Sequence, residues 1–279
     1  MISRLIGAVM RAFFVILLIA TPSLIMPGTT ADVAQVVTLV ALFGAGLTFF
    51  EYVSSYPGLV EFRDAPPFNR IRFGSLFVTV LLLSFLVSGG LSPTPTTNAV
   101  TALGATIGQA IDFPYSPVRL VVLMLPPDAS VEHVHMVRNA AGLSYLISLL
   151  TLFVFIVLQR LRQWPLQHGS FNVWINLPTF DPTAGGDVVD RLERDARFNI
   201  ALGFLLPFLT PAVIKSATAL FGAVSLDSPQ TLIWTVAAWA FLPASLFMRG
   251  IAMGRIAALI TQKRKMSSED KGNAGLLPV

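Results

Sequence analysis

Six stretches of this chain are apolar for about the length of helix that crosses a bilayer core, roughly 20 residues. They cover 5–26, 33–53, 73–91, 140–158, 198–221 and 230–248. The first is interrupted only by Arg11 and Pro22, and the second carries no charge before Glu51. Unbroken runs of this kind predict an all-α, polytopic membrane fold rather than a soluble core. On this reading 1–261 is one helical membrane domain and 262–279 is a flexible tail.

The stretches between the spans have patterns of their own. Between Ser92 and Asn139, the spacing of Val100, Leu103, Ile107 and Ile111 fits one face of an amphipathic helix. Gly104 and Gly108 form a G-x-x-x-G pair, which marks close helix packing in membranes. The segment from Asn98 is too short to cross. It is read as a helix on the outer interface with a short apolar piece, 118–125, packed on it; a re-entrant hairpin over 98–125 is the alternative.

Residues 159–197 are expected on the other side of the membrane. Phe171, Val173, Ile175 and Leu177 alternate with Asn172, Trp174 and Asn176, a strand-like period of two. Pro178 and Pro182 then exclude regular structure. A lone strand cannot satisfy its backbone in lipid, so this segment must lie over the helix ends or pair with another chain. Phe171, Val173, Trp174, Ile175, Leu177 and Phe180 are therefore candidates for partner contact, and Trp164 and Trp174 suit an interfacial belt. Further on, Gly185 and Gly186 predict a turn, Asp187 a helix cap, and the mixed charges of 190–197 a solvated helix. The loop 56–73, stiffened by Pro57, Pro66 and Pro67, is similarly semi-apolar. The two loops are expected to form one platform.

Composition agrees with the pattern. Of the 279 residues, 54% are hydrophobic and 12% charged, against about 25% charged in soluble domains. The mean hydropathy is +0.72. Charge adds orientation. Of the 19 basic residues, all except Arg119, Arg138 and Lys215 fall on one side of a six-span arrangement. The positive-inside rule makes that side cytoplasmic, with both termini there, in a cell inner membrane. The same rule explains the +4 charge without a nucleic-acid partner. Arg4 and Arg11 before an apolar stretch, with Thr29–Ala31 as a weak cleavage site, also resemble a signal peptide. The stretch is long for one and is read as a span.

Candidate chemistry is sparse. The chain has no cysteine, which removes disulfides, thiolate catalysis and Cys-ligated clusters. None of His133, His135 and His168 lies in a span, so paired haem ligands are not expected. No cofactor and no metal site is expected. The carboxylates of 181–195 interleave with arginines and read as a charged helix face rather than a two-metal centre. Within the spans, Pro207 and Pro211 kink the fifth helix, and Lys215 either snorkels to headgroups or binds an anion. Lys263, Arg264 and Lys265 are placed for anionic lipid headgroups. The pattern favours an accessory or scaffold subunit that contacts lipid and other membrane subunits, with a homo-oligomer compatible. A transporter or channel built on the proline-broken helix is the alternative, and a lipid-modifying enzyme comes third.

Overall fold

The computed structural model describes residues 2–161, 164–165, 171–181, 183, 185–221 and 226–274, with the backbone alone at 3, 219–221 and 268–274. His168 and Pro182 lie outside the described residues. Among those described are the helices α1 (Ile2–Ile25), α2 (Ala31–Val53), α3 (Phe68–Leu91), α4 (Pro95–Ile111) and α5 (Pro117–Val122). They are followed by α6 (Val131–Leu161), α7 (Val173–Asn176), α8 (Val188–Phe221) and α9 (Pro229–Ala274). Six of them, α1, α2, α3, α6, α8 and α9, are long and apolar enough to cross a membrane. Each coincides with one of the six stretches expected from the hydropathy pattern, α1 ending one residue short of the first.

Short polar residues start these helices. Thr30, Thr94, Ser116 and Asp187 each accept a backbone N–H from the first turn that follows. Thr94 and Thr97 bond reciprocally, and Pro95 and Pro117 stand at the first helical positions, where their missing N–H is harmless. The helices overrun the apolar stretches. α6 begins at Val131 and α8 at Val188, because polar residues continue a helix into water once its apolar part is anchored. Hydropathy measures the membrane, not the helix. For the same reason α9 runs on through 262–274, which the sequence reading assigned to a flexible tail.

α3, α6 and α9 form the centre. In α9, 56% of the most apolar window is buried inside the protein, against 11% in α2. α2 packs on α1, with Ala41 and Ala45 buried, and α1 packs in turn on α3. α8 lies on the far side against α9, where small residues bring the two backbones together. A Cβ on Gly203 would fall 2.7 Å from the Pro243 carbonyl oxygen, and one on Gly250 would fall 2.7 Å from that of Ala196.

In the 92–139 segment, α4 packs against both α3 and α6. α4 turns back against α3: Gly89 lies against Thr97 and Thr101, and Gly104 against the Leu86 side chain. Gly108 then meets Gly142 of α6, whose Cβ would fall 2.6 Å from the Gly108 Cα. The buried face is Thr97, Val100, Gly104 and Gly108. Leu103, expected on that face, is 49% exposed. The backbones can touch only where side chains are small, so the large leucine turns outward.

The prolines of α8 are accommodated within the helix. Pro211 has no N–H to give the Pro207 carbonyl one turn earlier; the indole Nε1–H of Trp239 on α9 donates to it instead, at 3.1 Å. Lys215 is exposed and bonded to the protein. Its ammonium donates at 2.6 Å to the carbonyl of Leu123, the C-cap of α5, where helix carbonyls lack partners and a cation is favoured.

Candidate functional site

The two loops at the end of the bundle nearest the chain termini are built into one platform. The first, 54–67, is folded by charges at the end of α2. The Glu51 carboxylate accepts N–H groups from Gly58, Leu59 and Val60 at 2.9–3.1 Å. The buried Arg63 turns back and donates to the carbonyls of Glu51 and Ser54 at 3.0 and 2.7 Å, satisfying groups that the helix end leaves open. Arg63 also pairs with Asp64 at 3.2 Å.

Between these charges Phe62 points inward, fully buried, with a left-handed φ of 52°. A bulky residue adopts that conformation only where its surroundings impose it. Here the ring packs on Phe68 with centroids 4.3 Å apart and on Trp164 at 5.7 Å. Phe155 closes the cluster against Phe68 and Trp164 at 5.5 and 5.8 Å. Trp164, expected in an interfacial belt, is instead buried, and its indole N–H donates to the Ala65 carbonyl at 3.1 Å.

The second loop locks onto the first through Asn176. Its backbone carbonyl accepts the Phe62 N–H at 2.6 Å, and its side-chain oxygen accepts the Asp64 N–H at 3.0 Å. The side-chain amide donates to the Asn172 carbonyl at 3.0 Å. The segment holding it is a single helical turn, α7, rather than the strand that its alternation suggested. Asn172 caps that turn by accepting the Trp174 N–H at 3.0 Å. With no strand to pair with among the described residues, the local cap and turn satisfy the backbone better than an extended chain would.

Glu61 ties both loops to α9. The Arg249 guanidinium grips its carboxylate through two bonds of 2.6 and 2.8 Å, and the Thr179 hydroxyl donates a third at 2.7 Å. Burial pushes the Glu61 carboxyl up, but the bonds from Arg249 and Thr179 and the nearby charges of Arg249 and Arg72 outweigh it. The carboxyl rests below its ordinary range.

The candidate contact residues therefore divide. Leu177 and Phe180 are buried in the protein's own second core, with Phe171 and Val173 partly buried against it. Ile175 is half-buried, and Trp174 is 54% exposed. Asp187 caps α8, and Gly186, at φ 94°, makes the turn before it. Arg264, placed for lipid by the sequence reading, pairs with Asp187 at 2.7 Å, while Lys263 and Lys265 stand exposed on α9. Among the described residues no three His, Asp or Glu side chains gather as metal ligands. Sequence reasoning missed Glu61–Arg249 and Asn176, because partners 188 and 112 positions apart leave no local pattern.

Among the described residues, six helices long and apolar enough to cross a membrane mark a multi-pass membrane protein. No family model, curated protein or solved structure matches the chain.

Proposed function

We propose that this chain is an accessory or scaffold subunit of a membrane complex. It would lie in a cell inner membrane, with both termini and the Asn176 platform in the cytoplasm. The arginine distribution supports that orientation. The subunit reading rests chiefly on one observation: the two loops are bonded into a preordered unit through Asn176 and Glu61, and Trp174 stands on its exterior. A preformed surface loses little entropy on docking, and an exposed Trp is a frequent anchor of protein contacts.

The transporter reading draws on Pro207, Pro211 and Lys215. The Pro207 carbonyl and the Lys215 ammonium are both bonded within the protein, which supports a packing role for that helix. The docking reading is tested by placing a photo-cross-linking side chain at position 174 in native membranes, with position 43 on the lipid-facing side of α2 as control. One protein adduct of defined mass from 174, absent from 43, is expected. Equal labelling from the two positions, or lipid adducts alone, would overturn it.

A further inference from the structure

A cleft of about 1160 Å³ opens beside the platform, between the α1–α2 hairpin and α3. Arg11, Arg63, Arg70 and Arg72 line it, and so do two carboxylates, Glu61 and Asp64. Both carboxylates are already paired, Glu61 with Arg249 at 2.6 Å and Asp64 with Arg63 at 3.2 Å. The remaining three cations have no ion-pair partner among the described residues. Arg11 donates to its own helix at Gly7 and lies over the Tyr52 ring at 4.4 Å. Arg70 is exposed. Arg72 rests between the Phe68 and Phe241 rings, at 5.4 and 5.8 Å, and its buried Nε has no hydrogen-bond partner. A buried guanidinium N–H left unmatched is uncommon and calls for an acceptor.

The lining changes character with depth. One turn beyond Arg11 along α1 come Phe14 and Val15, and one turn beyond Arg72 along α3 comes Leu76. Both helices run inward from the platform, so charge lies at the mouth and hydrocarbon behind it. A soluble anion would use only the mouth. A molecule with an anionic head and an apolar tail would use the whole cleft.

We propose that this cleft binds an anionic membrane phospholipid, one whose headgroup phosphate is not balanced by a cation of its own. The headgroup phosphate is held by Arg11, Arg70 and Arg72, and the acyl chain lies between α1 and α3. Guanidinium groups suit the task because their planar forks give paired bonds to phosphate oxygens and keep their charge when partly desolvated. The proposal rests on the membrane-spanning reading and is independent of whether the platform docks a protein.

The test uses the full chain in nanodiscs of equal phosphatidylglycerol and phosphatidylcholine, released for native mass spectrometry. Preferential retention of one phosphatidylglycerol is expected, undiminished by excess inorganic phosphate. An Arg70→Met, Arg72→Met double variant should lower that retention by at least about tenfold, the equivalent of one charge-assisted hydrogen bond. Arg194→Met, on the exposed face of α8, should leave it unchanged. If the double variant unfolds, Arg11→Met carries the test, since among the described residues its guanidinium bonds to Gly7 and lies over Tyr52, and a clear fall in retention is again expected. Equal retention of the two lipids, or retention unaffected by the folded variants, would overturn the proposal. Displacement by inorganic phosphate would also overturn it, by showing a soluble anion as the ligand.

Discussion

Gly142 and Gly46 make opposite demands on a methyl group. A Cβ at 142 would fall 2.6 Å from the Gly108 Cα, whereas one at 46 would meet nothing within 4 Å. Gly142→Ala should therefore destabilise the protein by about 1–3 kcal/mol through overpacking. Gly46→Ala should be neutral or stabilising by up to about 1 kcal/mol from helix propensity. Thermal unfolding in nanodiscs compares them directly, and equal effects would refute the α4–α6 contact. Glu61 offers a test by charge. Glu61→Gln leaves Arg249 without its counter-charge at a site where the carboxylate side chain is only 12% exposed. Arg249 is 24% exposed, so the loss should be somewhat below the ~3–5 kcal/mol of a fully buried pair. The folded Glu61 carboxyl is depressed. Its contribution is thus fully present above the ordinary carboxyl range near ~4 and lost as pH falls through the lower folded value. The stability gap between wild type and Glu61→Gln should narrow on acidification. A gap independent of pH would contradict the ion pair.

At the level of elements, platform and bundle hang on few bonds. Asn176→Ala removes the acceptor of the Asp64 N–H and the donor to Asn172. The Asp64 amide should then exchange hydrogen faster, with the six spans still protected; unchanged protection would show that the loops stand separately. Trp239→Phe orphans the Pro207 carbonyl, at a cost of about 1–3 kcal/mol. Such bonds explain what was legible in the sequence. The six spans could be read because each is a local property of some 20 residues, and the turn at Gly185–Gly186 and the cap at Asp187 because they are local too. The alternation at 171–177 misled because the period-two pattern reflects burial of Leu177 beneath a capped turn, not a strand. Leu103 misled because the glycines of α4 demand close backbone contact, which apolar periodicity does not encode. Asn176 and Arg249 could not be read, since each acts on a residue far away in the chain.

On the scale of the whole molecule, a central trio of helices carries a lipid-facing hairpin on one side and the α8–α9 pair on the other. The hydrogen-bonded platform sits at the end nearest the termini. Most of the exposed apolar surface of α2 is what bilayer lipid covers. Trp174 on a rigid platform is different, because that platform is held by hydrogen bonds among polar groups at the end of the bundle. The central functional claim is that this surface docks a protein subunit. The most direct measurement is gentle extraction of the chain from native membranes into nanodiscs, followed by mass determination of the intact particle. The account predicts a stoichiometric second protein that is retained by wild type and lost from Trp174→Ala with the fold intact. A particle containing this chain and lipid alone, unchanged by milder extraction, would contradict it.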